Sequence, residues 1–256
     1  MPSISCSLQK RRPGSPRSEV RAIKAALLAA LGIGTLAISS VAQAQAYQCR
    51  IPANVDAPQL RTEGRARNLP VTGYTLALSW SPEFCRFRED DRRHSRQCSG
   101  RQGRFGFTVH GLWPNSGRTW PQWCERTPVS TDVFKPNLCM SPDASLLARQ
   151  WQKHGSCMTR RPATYFKVTR ILYNGLRWPD FVRISREDNL TAGTIRTRFA
   201  DANAGWFPEA VGVHLDRKGW LEELRLCYDR RFMPEACDER RYGAKDKQAA
   251  KIWRGL

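Results

Sequence analysis

The sequence predicts an α+β domain in which disulfide bonds staple a central antiparallel sheet and several helices. Strand-like segments occur early and late in the chain, with helical segments between them, and this order favours an α+β domain. Eight of the nine cysteines lie after residue 46, and an even number of cysteines behind a leader segment is typical of disulfide-bonded proteins. A chain of 256 residues with 25% charged residues fits one domain with appendages.

The strands are predicted from β-branched and aromatic content. Tyr74–Trp80, bounded by Gly73 and Pro82, and Phe105–Leu112 have this composition. Two later strands form an antiparallel pair around a turn near Lys218-Gly219, and they cover Val211–Leu215 and Leu221–Tyr228.

The helices are predicted from the helical spacing of apolar residues over Ser145–Met158, Thr164–Leu176 and Thr191–Ala202. The segment Arg86–Arg104 is charged and rich in turn residues, which predicts a loop. Four prolines interrupt Trp120–Pro142 and predict a loop or a broken helix there.

The N-terminus has the pattern of a secretory signal peptide over residues 1–46. A basic segment precedes the uncharged stretch Ala25–Val41, and small-residue cleavage sites follow at residues 42–44 and 44–46. An uncleaved membrane anchor is the alternative, which the short length and the glycines and serines of the stretch disfavour. We expect an N-terminal arm at 47–72, a catalytic domain at 73–237 and a mobile basic tail at 238–256.

The formal charge is +19, and removal of residues 1–46 takes away six basic residues and one acidic residue, which leaves +14. Such an excess favours a polyanionic partner, either a nucleic acid or an anionic membrane surface. A basic surface without a specific partner is the alternative.

The cysteines after residue 46 allow 105 pairings, and their spacing does not choose among them. A zinc cluster is disfavoured because the sequence has no Cys-x-x-Cys pair, and the sequence predicts no metal site and no cofactor. The eight are Cys49, Cys85, Cys98, Cys124, Cys139, Cys157, Cys227 and Cys237.

Two of the four histidines lie in unusual strings. His110 follows a strand-like run in Phe107-Thr-Val-His-Gly-Leu-Trp-Pro-Asn115, and His154 ends a helical run in Gln150-Trp-Gln-Lys-His-Gly-Ser-Cys157. Two imidazoles can serve as base and acid near neutral pH, and Lys153 can stabilise a phosphate that gains negative charge. RNA supplies its own nucleophile, the 2′-hydroxyl, so this set suffices for its cleavage without a metal.

Neighbouring residues extend this hypothesis. Gln150 and His154 share a helix face at i, i+4 spacing, and Trp113 or Trp151 can offer a stacking surface for a base. Each residue also has a structural alternative: core packing for the tryptophans, and an exposed helix charge for Lys153. The other two histidines are expected to be a satisfied strand residue, His214, and a solvated loop residue, His94.

The segments His110-Gly-Leu-Trp-Pro and Trp151-Gln-Lys-His-Gly-Ser-Cys157 resemble the two active-site segments of the ribonuclease T2 family, and the resemblance spans Tyr74 to Cys237. The resemblance implies a metal-independent endoribonuclease. Such an enzyme forms a 2′,3′-cyclic phosphate by transesterification, a lyase step, and then hydrolyses it to a 3′-phosphate.

The resemblance also implies residue roles. His154 matches the base that activates the 2′-hydroxyl, His110 matches the acid for the leaving group, and Lys153 matches the residue that stabilises the phosphorane. Trp113 and Asn115 match positions that help hold a base. The disulfides implied by the resemblance are Cys124–Cys157, Cys85–Cys98 and Cys227–Cys237, with Cys49 and Cys139 as the remaining pair.

Two positions depart from the family pattern, because Gln150 stands where the family usually has a glutamate and Arg149 stands where it often has a histidine. An amide can hydrogen-bond a phosphate oxygen but does not exchange a proton at ordinary pH. Arg149 is a permanent cation that suits phosphate. We expect an active enzyme whose pH profile depends on the two histidines.

These observations predict a periplasmic or secreted, monomeric ribonuclease that acts on single-stranded RNA. No stable protein partner is expected, and no membrane association after removal of the signal peptide. One alternative is a non-catalytic RNA- or anion-binding protein on the same fold. Another is a basic secreted toxin or envelope-binding protein that uses charge alone.

Overall fold

The computed structural model describes residues 48–55, 58, 64–125 and 127–255, so the predicted signal peptide lies outside the described residues. The strands are β1 Gly73–Trp80, β2 Phe107–Asn115, β3 Val211–Leu215 and β4 Leu221–Asp229. The α-helices are α1 Ser81–Cys85, α2 Ser95–Cys98, α3 Thr131–Phe134, α4 Ala144–Lys153, α5 Pro162–Asn174, α6 Phe181–Ile184, α7 Ala192–Ala202 and α8 Glu239–Tyr242. Short 3₁₀ helices cover Arg92–His94, Lys135–Asn137, Gly155–Cys157 and Pro208–Ala210.

The four strands form one antiparallel sheet in the order β2-β1-β4-β3. The register places the short side chains of Thr75, Ala77 and Ser79 on one face of the central strand β1. Because these side chains are small, the longer side chains of His110 on β2 and Glu223 on β4 can meet across β1. The site of this protein is built on this face.

The opposite face of the sheet forms the core. Leu76 and Leu78 of β1 are fully buried there. Helix α5 is attached to this layer by two buried hydroxyls: Tyr165 donates a hydrogen bond to the carbonyl of Leu112 at 3.2 Å, and Tyr173 donates to that of Phe107 at 2.7 Å. The predicted α+β fold with an antiparallel sheet is confirmed.

Strand β2 contains a bulge at His110. Leu78 of β1 faces Val109, and Ala77 faces Gly111, so His110 has no partner on β1. A β-bulge of this kind bends the strand and re-aims a side chain. The bulge turns His110 onto the face that carries Ala77.

The secondary structure differs from the prediction at short elements. The sequence predicts neither α1 nor α6, which are five and four residues long. The predicted loop Arg86–Arg104 contains Arg92–His94 and α2, and Trp120–Pro142 contains α3. Such single turns depend on tertiary packing, because isolated helices of this length are unstable.

The mobile basic tail predicted from residue 238 onward is wrong, because residues 238–255 pack against the domain. Arg196 of α7 is fully buried. Its guanidinium donates to the carbonyls of Tyr242 and Ala244 at 2.8 and 2.6 Å, and to the carboxylate of Asp246 at 2.8 Å. The segment is polar in composition, but its polar groups are the partners that this buried charge requires.

Four disulfides connect Cys49–Cys139, Cys85–Cys98, Cys124–Cys157 and Cys227–Cys237, which confirms the implied pairing. The first ties the N-terminal arm to the domain, and the arm also pairs Arg67 with Gln122 through backbone hydrogen bonds of 2.8 and 3.0 Å. Within the described ranges, no helix is both long and apolar enough to span a membrane.

Candidate active site

Both histidines and, apart from Trp151, the neighbouring residues singled out in their two strings meet in one cavity of about 570 Å³. Strand β2 and the C-terminal end of α4 supply its centre. We call this the cationic cavity, because five of its lining residues are arginine or lysine. Its lining residues are Thr75, His110, Trp113, Asn115, Trp120, Leu146, Arg149, Gln150, Lys153, His154, Arg225, Arg240 and Arg241.

His154 ends helix α4 and is only 7% exposed. The disulfide Cys124–Cys157 holds the chain after it. Gly155 is required because a Cβ there would lie 2.7 Å from the rings of Trp151 and Tyr165. His154 is therefore fixed by the tightly packed segment that follows it.

Burial lowers the pKa of His154 from 6.5 to about 3, and the positive charges of Lys153, His110 and Arg149 act in the same direction. Its Nδ1 atom is buried and has no hydrogen-bond partner among the described residues. His154 is consequently a neutral imidazole at physiological pH, which is the form that can accept a proton.

His110 lies in a chain of charged groups on the sheet. Its Nδ1 lies 2.7 Å from Oε2 of Glu223, and Arg225 donates to Oε1 of the same carboxylate at 2.7 Å. Burial would raise the pKa of Glu223, but the hydrogen bond to His110 and the charges of His110 and Arg225 outweigh burial and lower the pKa to about 2. An ionised carboxylate only accepts hydrogen bonds, so Nδ1 of His110 carries a proton and Nε2 is the nitrogen available for proton exchange.

Trp113 lies against both histidine rings. Its ring centroid is 5.1 Å from that of His110 and 5.6 Å from that of His154. Its indole N–H donates to Oε1 of Gln150 at 2.7 Å. Gly111 allows this contact, because a Cβ at that position would collide with the side chains of both Gln150 and Trp113.

This hydrogen bond determines the orientation of the Gln150 amide. The indole N–H can only donate, so the amide oxygen faces Trp113 and the NH₂ group points away from it. At this position Gln150 positions the tryptophan, and its amide also supplies donors that suit a phosphate oxygen. A glutamate would accept the same indole hydrogen bond but would add a negative charge.

The remaining predicted site residues have different positions. Asn115 lines the cavity while its amide nitrogen donates to Thr75 at 3.0 Å, and Arg149 is exposed at the cavity. The prediction that Trp151 contacts substrate is wrong. Trp151 is 0% exposed in the core, and its indole N–H donates to the carbonyl of Thr127 at 2.8 Å.

A sequence model described as the ribonuclease T2 family matches residues 72–185, which include β1, β2, α4 and both histidines of the cavity. Over this region, which is less than half of the chain, the protein is similar to the ribonuclease T2 family. It is 29% identical over 193 residues to a probable ribonuclease of Haemophilus influenzae, covering 69% of this chain and 65% of that protein. It is 40% identical over 84 residues to a ribonuclease of Aeromonas hydrophila, covering 33% and 36% of the two chains. The alignments therefore span less than two thirds of these relatives.

Solved structures show the same T2 fold. Trichomaglin, described as an S-like ribonuclease, aligns with a TM-score of 0.55 at 22% identity, over 66% of this chain and 92% of that chain. RNase NT in complex with 5′-AMP aligns with a TM-score of 0.51 at 17% identity, over 71% and 98%.

The T2-family motifs do not include several groups that the structure brings to the site. Glu223 and Arg225 come from β4, and Trp120, Arg240 and Arg241 also line the cationic cavity. One signal was available: Glu223 lies in a strand among apolar residues, and a carboxylate is seldom buried without a partner. The others depend on contacts between segments distant in sequence.

A second cavity of about 680 Å³ adjoins the first and shares His110, Leu146 and Arg225 with it. We call it the acidic cavity because Glu83, Asp143, Asp216, Glu222 and Glu223 line it, with Arg88 and Arg225 as its only arginines in the described chain.

The other two histidines also line the acidic cavity. His214 lies 2.9 Å from the carbonyl of Arg241, as expected for a satisfied strand residue. His94 differs from the prediction of a solvated side chain. It is half-buried, and its ring packs edge-on against Phe84 at 5.0 Å.

Proposed function

We propose that this protein is an endoribonuclease that cleaves single-stranded RNA by transesterification to a 2′,3′-cyclic phosphate and then hydrolyses that product to a 3′-phosphate. One observation carries the proposal: two imidazoles in opposite electrostatic environments, His110 and His154, line one cavity together with Lys153. The ribonuclease relatives and the match to the T2 family model support the same activity.

In the first step, His154 takes the proton from the 2′-hydroxyl, because it is the imidazole held neutral by burial and by surrounding cations. The 2′-oxygen attacks phosphorus, and the bond to the 5′-oxygen breaks. His110 donates a proton from Nε2 to that 5′-oxygen. The carboxylate of Glu223 stabilises the imidazolium that gives up this proton.

The pentacoordinate phosphate gains negative charge in this step. Lys153 and Arg149 line the cavity as cations, and the NH₂ group of Gln150 adds hydrogen-bond donors. In the second step the roles reverse: His110 takes a proton from water, which attacks the cyclic phosphate, and His154 returns a proton to the 2′-oxygen.

The setting of the enzyme is part of the proposal. Four disulfides need an oxidising compartment, and this supports a periplasmic or secreted protein whose signal peptide is removed. The excess of basic residues supports RNA as the partner. A monomer without a stable protein partner or membrane association stays a prediction.

The experiment is incubation of the purified protein with single-stranded RNA in EDTA, followed by analysis of the products. We expect cleavage without metal, 2′,3′-cyclic ends at early times and 3′-phosphates later. His110→Ala is the control and should slow cleavage by about 10²- to 10⁴-fold. Cleavage that depends on a divalent metal, or products with 5′-phosphates, would refute this mechanism.

A second candidate function is RNA binding without catalysis, and it rests on Gln150 in place of the family's glutamate. The same assay with Gln150→Glu separates the two. Activity of the wild-type protein supports the enzyme. An inactive wild-type protein that Gln150→Glu activates would support the binding protein instead.

A further inference from the structure

His110 lines two cavities of opposite charge, so the electrostatic environment differs from one end of the site to the other. The cationic cavity has five arginine or lysine residues, and none of its lining residues within the described chain is acidic. The acidic cavity has five carboxylates against two arginines. RNA that enters both cavities therefore meets a favourable environment for phosphate in the cationic cavity and an unfavourable one in the acidic cavity.

The proposed chemistry relates these sides to the direction of the RNA. His154 lines the cationic cavity alone, whereas His110 lines both cavities. The nucleotide whose 2′-hydroxyl gives its proton to His154 therefore lies in the cationic cavity. The leaving nucleoside, which receives its proton from His110, lies toward the acidic cavity.

Arg240 is one of three arginines of the cationic cavity, with Arg225 and Arg241, that lie outside both histidine motifs and outside the region matched by the family model. Its guanidinium carbon lies over the indole of Trp120, 5.1 Å from the ring centroid. Arg67 of the N-terminal arm lies over the same indole at 4.9 Å. A guanidinium stacked on a ring keeps its N–H donors in its own plane, which is the geometry that matches a phosphate.

The position of Arg240 is set by the cap of its helix and by the buried guanidinium of Arg196. Helix α8, which carries it, is capped by Asp238 through the backbone N–H of Arg241 at 2.8 Å. The buried guanidinium of Arg196 holds the carbonyl of Tyr242 and lies 3.7 Å from the centroid of its ring. The exposed Arg240 therefore lies on a helix that these contacts hold against the domain.

We propose that Arg240 binds the phosphate on the 5′ side of the nucleotide held in the cationic cavity, so that the enzyme recognises an RNA chain extending in the 5′ direction. This inference rests on the proposed function for the direction of the RNA. A phosphate on the 3′ side of the leaving nucleoside faces the carboxylates instead. Burial raises the pKa of Glu222, and repulsion from Asp216 and Glu223 adds to it, as expected where negative charges crowd.

The test measures binding of 2′-deoxy dinucleotides, which cannot be cleaved because they lack the nucleophile. We expect a 5′-phosphate to tighten wild-type binding roughly tenfold, as for a charge-assisted hydrogen bond to an exposed arginine. Arg240→Gln should remove this gain and lower the slope of log affinity against log salt by about 0.7. Arg231→Gln is the matched control, because this exposed arginine lines neither cavity.

A wild-type protein without the 5′-phosphate gain, or an Arg240→Gln variant that keeps it, would overturn the proposal. An equal gain from a 3′-phosphate would overturn the polarity, and Glu222→Gln should make a 3′-phosphate less unfavourable. Binding is measured apart from cleavage. A protein that cleaves no RNA but shows the gain that depends on Arg240 refutes the proposed catalysis and leaves the phosphate subsite intact.

Discussion

His110 and His154 share one cavity but differ in burial and in the charge of their neighbours. The side chain of His110 is 37% exposed and bonded to the ionised carboxylate of Glu223. His154 is buried among cations. The carboxylate fixes the proton on Nδ1 of His110, and burial and the neighbouring cations keep His154 neutral, which is the form that can accept a proton. The sheet therefore supplies the proposed acid, and the end of helix α4 supplies the proposed base.

The largest expected effect separates these roles through the leaving group. His110→Ala and His154→Ala should each slow RNA cleavage by about 10²- to 10⁴-fold. A nucleoside 3′-(4-nitrophenyl phosphate) needs no acid, because nitrophenolate leaves without a proton. We expect this substrate to restore activity to His110→Ala only, in a spectrophotometric assay. Rescue of His154→Ala instead would reverse the assignment.

A smaller effect is expected from the partner of His110. Glu223→Gln removes the negative charge but keeps a hydrogen-bond acceptor. A hydrogen bond to a charged group contributes about 1.5–3 kcal/mol. We therefore expect kcat to fall roughly ten- to a hundredfold. KM should change little, and the pH–rate profile should shift, because Glu223 acts on His110 and not on the substrate. Glu223→Asp should restore part of the rate. An unchanged profile with a raised KM would mean that Glu223 contacts RNA.

The smallest effect concerns stability. The pKa of His154 is about 3 in the folded protein and near 6.5 in the unfolded chain. As the pH falls below 6.5, His154 binds a proton in the unfolded chain but not in the folded protein. The free energy of unfolding therefore decreases, by about 1.4 kcal/mol at pH 5.5.

Urea denaturation of wild type and His154→Gln at pH 7.5 and 5.5 measures this difference. The variant should lose correspondingly less stability on acidification, and His94→Gln serves as the control histidine substitution. Glu223 does not contribute to the difference between these two pH values, because its pKa lies far below both. Equal acid losses in wild type and His154→Gln would contradict the burial of a neutral imidazole.

The sequence was sufficient for the α+β fold, the long helices and the two histidines, because periodicity and the motifs are local signals. The contact between Glu223 and His110 could not be predicted from the sequence, because it crosses the small residues of β1 and depends on non-local strand pairing. Trp151 was misassigned because helical spacing does not say which face of α4 enters the core. The segment after residue 238 was misread because its composition is polar, and its burial depends on Arg196.

The buried position of Arg196 has a consequence for the order of synthesis and folding. Its guanidinium needs the carbonyls of Tyr242 and Ala244, which the ribosome adds more than forty residues later. Until those residues emerge, enclosing Arg196 would bury a charge without these partners. Arg196 can therefore be buried with all of its partners only after this late-synthesised segment has been added.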